Sequence, residues 1–379
     1  MHYNLSYISH NKRKLLAEKL EKDYKIQRSL GCMILKEANI VPSKLHDGVL
    51  YSGGIVSSDD KFQKSSAWHE GCQQNGFYNS EHIVTRKETV VYLGCLYHIW
   101  GHAITDNLKK VWYLRKHNQE HKIVYITYDN APLPQYVYEL FELAGINLNN
   151  AEHIKKVTKF EKVINPDNSI ININEERYFK NEFIETIEHI KSQITASDIK
   201  KVYFTRTHLK KNRDIGEKQI EKFFLRKGYN IIAPEEHSIK EQLSILKGCT
   251  AFASTEGSIS HSTLFCMHDT ETCLIRKADF INPYSCFINQ ICSINVTYID
   301  AHRSSIAPKL YPWRGPFYLY TTYWLSLFSG AHGIHMPYFL HRSWYEYRYN
   351  LSERIKDIYY RLRATLGIKT HIREFFKKK

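Results

Sequence analysis

A histidine and an aspartate stand four residues apart in the run Tyr97-His-Ile-Trp-Gly-His-Ala-Ile-Thr-Asp106. On a helix opening near Gly101, His102 and Asp106 lie about 40° apart around the axis, so one face presents an imidazole and a carboxylate. Ile104, Leu108 and Val111 point the other way. A neutral imidazole or an ionised carboxylate in that place takes a proton from a hydroxyl as a general base. The spacing is equally that of an ordinary helix surface with an acid in its first turn. Farther along, Arg206 and Arg213 flank the loop Thr207-His-Leu-Lys-Lys-Asn212. Guanidinium groups stay charged at any relevant pH and grip phosphate oxygens in pairs, although a lysine-rich loop also carries solvated arginines. In Thr255-Glu-Gly-Ser258, Gly257 permits a close or left-handed backbone, and Ser258 or Ser260 caps the next helix. Glu256, beside phosphates, would accept from a sugar or ribose hydroxyl.

The elements that must position these groups are legible downstream of residue 200. Residues 201–205, 229–233, 250–254 and 272–276 are short apolar runs of the kind that form buried parallel strands. Helices separate them. The first buries Ile220, Phe223 and Phe224 and stops at Gly228; the second opens on the capping box Ser238-Ile-Lys-Glu241 and stops at Gly248; the third starts at the Glu256-Gly257-Ser258 turn. Strands alternating with helices make a parallel, doubly wound sheet, which binds ligands outside the carboxyl ends of its strands. Arg206 and Arg213, then Glu235, Glu236 and His237, then Glu256, Gly257 and Ser258 all fall at those ends.

Upstream, residues 89–93 and 123–127 read as strands and 101–117, 135–143 and 179–194 as helices, which makes a second α/β unit. The hinge falls at Thr195-Ala-Ser-Asp198. The division is therefore 1–197 for the first α/β unit, 198–305 for the second, and 306–379 for an aromatic segment and a basic amphipathic tail. That tail, 353–379, either lies on an anionic membrane or docks on the body with a solvated basic face. The run 317–328 is too short to span a bilayer and reads as buried or interfacial.

Length and composition allow two ordinary domains. The 379 residues are 43% hydrophobic and 24% charged, and Lys and Arg outnumber Asp and Glu by 53 to 39, a net charge of +14. That excess draws anions: nucleic acid, anionic lipid or a nucleotide-linked metabolite. Eight cysteines without a Cys-x-x-Cys pair argue against a zinc site, and the first residues hold no apolar signal core, so a reducing cytoplasm is expected. There is no Gly-x-Gly-x-x-Gly, no P-loop and no Asp-x-Asp.

The order of features resembles the family-61 glycosyltransferases, in their bacterial capsular-polysaccharide branch. Gly101-His102 with Asp106, Arg206 and Arg213, Gly228-Tyr229, Pro234-Glu235, Glu241-Gln242, and Ser254 through His261 to Leu264-Phe265 match that family's ordered set. Relatives often carry His where this chain has Glu256. The resemblance implies a GT-B architecture, with two Rossmann-like domains facing a central cleft, 1–197 on the acceptor side and 198–305 binding the nucleotide sugar, and a basic helical tail added at the carboxyl end. It implies an inverting transfer of a sugar from a nucleoside diphosphate to a capsular, exopolysaccharide or lipid-linked glycan. Asp106 would be the base with His102 orienting it, or the roles would be exchanged. The donor site would comprise Arg206, Arg213, Glu236, Gln242, Glu256, Gly257, Ser258, Ser260 and His261. No cofactor is obligatory and no divalent metal is expected; the partners are the donor, the glycan acceptor and, peripherally, the inner face of the plasma membrane, with no nucleic acid. The rival readings are a basic nucleic-acid-binding protein and a catalytically silent glycan-binding relative.

Overall fold

The computed structural model describes residues 2–46, 49–67, 83–117, 120–174, 176–209, 214–302 and 317–337, together with 351, 354, 355 and 358. From the amino terminus come β1 (His2–Tyr7), α1 (His10–Glu21), β2 (Cys32–Val41), β3 (Lys44–His46), β4 (Val49–Tyr51), β5 (Gly54–Val56) and the long β6 (Val84–Leu96). After these are α2 (Trp100–Ala103), α3 (Val111–Lys116), β7 (Lys122–Thr127), α4 (Gln135–Leu143), β8 (Glu152–His153), β9 (Thr158–Pro166), β10 (Ile170–Ile173), β11 (Glu176–Phe179) and α5 (Asn181–Ser192). The remainder is β12 (Lys201–Phe204), α6 (Glu217–Arg226), β13 (Asn230–Ile232), α7 (Ile239–Gly248), β14 (Ala251–Thr255), β15 (Glu271–Arg276), α8 (Pro283–Cys292), β16 (Asn295–Asp300) and α9 (Tyr323–Ala331).

The carboxyl-terminal sheet has the order β1-β16-β15-β14-β12-β13, with every pair parallel. The four strands expected between residues 201 and 276 are β12 to β15. The chain leaves β12 for β13 on one side and then returns to build β14, β15 and β16 on the other. Connections therefore diverge between β12 and β14, the place where an open α/β sheet leaves a ligand crevice. Helix ends obey their local chemistry. Ser238 and Glu241 cap α7 reciprocally, and Gly228 takes a φ of +77° just beyond α6. The helix expected after the Gly257 turn is instead a 3₁₀ turn, Ser260–Phe265, whose six side chains are all buried.

Residues 1–197 do not all stay together. β1 runs beside β16, with His2 opposite Asn295, so the first strand completes the second sheet. The rest of this half is a mixed sheet in the order β5-β2-β9-β6-β7-β8 rather than a parallel Rossmann-like one. β6, β7 and β8 are parallel where helices connect the strands, whereas β2 runs antiparallel to both β5 and β9. One hydrophobic core, drawn from Val91 and Leu93 on β6, Phe141 on α4, Ile187 on α5, Phe204 on β12 and Phe287 on α8, lies between the two sheets. Separate clusters cover their outer faces, with α6 and α9 over the second sheet.

The helix expected over 101–117 is broken. α2 ends at Ala103, Thr105 has φ −121° and ψ −81°, a 3₁₀ turn holds Asp106–Leu108, and α3 starts at Val111. Between residues 103 and 114 the polar side has no solvent face: Asp106, Asn107, Lys109 and Lys110 are buried like Ile104, Leu108 and Val111. Such groups need fixed partners, and the break supplies them. The Thr105 hydroxyl donates to the Gly101 carbonyl at 2.7 Å, and the Asn107 amide both donates to and accepts from the Tyr97 backbone at 2.9 Å. Of the expected basic tail, only 354, 355 and 358 are described, and they are helical and exposed. No described helix is long and apolar enough to cross a membrane.

Candidate active site

Both sheets aim the carboxyl ends of their parallel strands at one junction. The turn after β6 carries Trp100, Gly101 and His102, and the turn after β14 carries Gly257 to Ser262. The Trp100 indole donates to the Ser262 hydroxyl at 2.9 Å. Gly101 is required by the closeness of the approach, because a Cβ there would sit 2.7 Å from His261 Nδ1. His261 in turn stacks on Tyr284 of α8, with ring centroids 5.1 Å apart, and its Nε2 meets the Asn282 amide at 3.0 Å. Burial pushes the His261 imidazole down to about 3, helped by nearby His102, so it is neutral in this contact.

His102 and Asp106 come together despite the broken helix, His102 Nδ1 lying 2.7 Å from Asp106 Oδ2. Asp106 is held by more than the histidine. Arg177, from β11, donates to its Oδ1 at 3.2 Å, and the Tyr284 hydroxyl donates to its Oδ2 at 2.8 Å. Arg177 also donates to the Tyr284 oxygen at 2.7 Å and lies over that ring. Burial alone would push the Asp106 carboxyl up, yet the charge of Arg177 and the hydrogen bond from His102 hold it well below the usual carboxylate range. The carboxylate side chain is 1% exposed and the imidazole 23% exposed. Of the pair, the imidazole is the group that keeps exposed surface. Arg177 and Tyr284 have no motif around them in the sequence, and only the pairing of two distant elements reveals them.

Beside this junction lies a cavity of about 480 Å³. Trp100, Gln135, Tyr136 and Glu139 line it from the first half; Thr205, Arg206, Leu209, Pro234, Glu235, His237, Gln242, Ser258 and Ile259 line it from the second. It therefore occupies the crevice that the β12–β14 divergence demands. Behind it sits a buried charge cluster. Arg206 Nε forms an ion pair with Asp214 Oδ2 at 3.6 Å, and Lys277 donates to the same oxygen at 3.0 Å. Glu217 accepts from the Tyr203 hydroxyl at 3.1 Å and from the Arg206 backbone at 3.2 Å; burial, then the charge of Asp214, raises its carboxyl to about 7. Burial lowers the Lys277 ammonium, with Asp214 opposing the shift. Gly257, at φ +132°, packs its backbone over that lysine, and a Cβ would lie 3.3 Å from Nζ.

The other expected donor residues divide. Arg206, Gln242 and Ser258 line the cavity. Gln242 spends its amide on the loop itself, donating to the Pro234 and His237 carbonyls at 2.7 and 2.9 Å. Ser260 staples the Gly257 turn, accepting from its N–H and donating to its carbonyl. His261 belongs to the junction. Glu236 is exposed and paired with His208 at 2.7 Å, while its neighbour Glu235 lines the cavity. Glu256 points inward, 3.8 Å from Arg276 Nε, as a buried carboxylate needs a cation; Arg276 is itself paired with Asp300 at 2.6 Å. Arg213 lies outside the described residues. Among the described residues no cluster of His, Cys, Asp or Glu could hold a metal ion.

The family model Glycosyltransferase 61 matches residues 100–274. The stretch runs from the Trp100 turn to β15 and so takes in both the His102–Asp106 pair and the crevice. The match supports a family-61 glycosyltransferase. No curated protein matches the chain.

Proposed function

We propose that the protein is an inverting glycosyltransferase of GT-B type. It transfers a sugar from a nucleoside diphosphate to a cell-surface glycan, capsular, exopolysaccharide or lipid-linked. The donor lies in the 480 Å³ cavity, with its diphosphate towards Arg206 and Ser258 in the lining and the charge of Lys277 behind them. The observation that carries the reading is the buried, doubly held Asp106 presenting the His102 imidazole at the junction beside that cavity. With Nδ1 committed to Asp106, the proton acceptor is Nε2. The acceptor hydroxyl gives its proton to His102 while its oxygen attacks the anomeric carbon from the face opposite the leaving group. The bond to the diphosphate breaks, and its electron pair leaves as negative charge that fixed cations stabilise. Asp106 then orients the imidazole and stabilises the imidazolium, which is the exchanged form of the two roles that the resemblance left open. Divalent metal is not required in this reading.

Peripheral contact with the cytoplasmic face of the plasma membrane belongs to the same proposal and is supported by the net charge of +14. Thermal unfolding with a panel of nucleotide sugars tests the donor assignment. A true donor at a hundred times its dissociation constant adds about 2.7 kcal/mol of stability. Stabilisation by none of them, or by single-stranded oligonucleotides instead, would overturn it.

A further inference from the structure

The outer layer of the second sheet carries a surface that the transfer reaction does not use. α9 has the sequence Tyr-Trp-Leu-Ser-Leu-Phe-Ser-Gly-Ala, without a charge. Leu325 and Phe328 are buried against the sheet, whereas Tyr323 is 53% and Leu327 44% exposed on the opposite face. Trp324 sits between, with the Arg13 guanidinium 5.2 Å over its ring and His10 at its edge. Next to α9, the outer face of α6 contributes Lys222 and Arg226, four residues apart and both exposed. They rim a cleft of about 300 Å³ floored by Phe223, Ile334 and Met336, with His335 on its other wall. The acids of α6 do not dilute this charge: Glu217 and Glu221 turn to the other side, to Tyr203 and to Thr205 and Thr207.

We infer that α9 and the basic edge of α6 form the face that docks on an anionic phospholipid bilayer, Tyr323, Trp324 and Leu327 entering the interface and Lys222 and Arg226 meeting headgroup phosphates. Amphipathic aromatics beside exposed cations suit that boundary, and charge complementarity selects anionic lipid over a neutral surface. The placement also fits the geometry of the cleft. Thr322, which caps α9, donates to the carbonyl of Asp300 at the carboxyl end of β16, so the docking helix starts at the end of the sheet where the cavity opens. The inference rests on the membrane contact proposed above, but its readout does not need transfer.

The test is flotation of the full chain with vesicles of phosphatidylcholine alone and of phosphatidylcholine mixed with phosphatidylglycerol. Binding to the mixed vesicles only, weakening with salt, is expected. A cation near an anionic surface contributes about fivefold, so Lys222→Ala with Arg226→Ala weakens binding about twenty-five-fold. Leu327→Ser with Tyr323→Ser weakens it without changing the salt dependence. All four positions are exposed, and thermal unfolding checks that the variants remain folded. Unchanged flotation of either double variant would overturn the inference, as would equal binding to neutral vesicles. Stabilisation by inorganic phosphate with no vesicle binding would mark a soluble-anion site and overturn it too. Vesicle binding by a chain that transfers no sugar would keep this surface and sink the transferase reading alone.

Discussion

The two charge clusters around the cleft are made of similar parts and balanced differently. At the junction, Asp106 has one arginine, one histidine and one tyrosine around it, and the cluster is closed by its own hydrogen bonds. At the crevice, Arg206 and Lys277 share Asp214, while Glu217 behind them is driven towards its protonated form. The first arrangement leaves an imidazole held in one orientation. The second leaves positive charge beside a cavity of ligand size. Placement of a carboxylate thus separates a group built to move a proton from a group built to receive an anion.

The largest expected effect comes from opening the closed cluster. Arg177→Met strips Asp106 of its cation and leaves a buried charge, at a cost of about 3–5 kcal/mol read by urea denaturation; a change below about 1 kcal/mol would show that the cluster is not closed as described. Gly101→Ala probes the contact between the halves, since the new Cβ meets His261 at 2.7 Å. Overpacking there costs about 1–3 kcal/mol and is expected to lower transfer, with nucleotide affinity, measured calorimetrically, changing less than transfer does. On the crevice side, Arg206→Ala is expected to weaken nucleoside diphosphate binding by about 1.5–3 kcal/mol with little change in stability; unchanged titration calorimetry would remove Arg206 from the donor site.

The smallest effect is a pH dependence. Glu217 ionises at about 7 in the folded protein, above the ordinary carboxylate range, so its ionised form is disfavoured by folding. Stability from the protonated form is present at low pH and is lost as pH rises through about 7. Protonation also makes the crevice more positive. Nucleotide affinity therefore rises modestly as pH falls through 7, and Glu217→Gln flattens that slope.

The sequence made the crevice side far more legible than the junction. β12 to β15 and the caps of α6 and α7 arise from local signals, apolar runs and a Ser238–Glu241 box, because each parallel strand is buried on both faces. Arg206 could be placed at a strand end on that basis alone. The junction depends on pairings that spacing does not encode: Asp106 with Arg177 and Tyr284, and Gly101 with His261. The expected helix through His102 failed for the same reason, since tertiary burial of Lys109 and Lys110 overrides an amphipathic pattern. Position in a turn does not fix side-chain direction: Glu256 points to Arg276 and Glu236 pairs with His208.

The division of labour is tested most directly by one variant in two assays. His102→Ala, which leaves the crevice untouched, should lower the turnover of a nucleotide-sugar donor by about 10²–10⁴-fold while nucleoside diphosphate affinity by calorimetry stays as in the parent protein. Full turnover, or a loss of affinity that accounts for the lost turnover, would contradict the account.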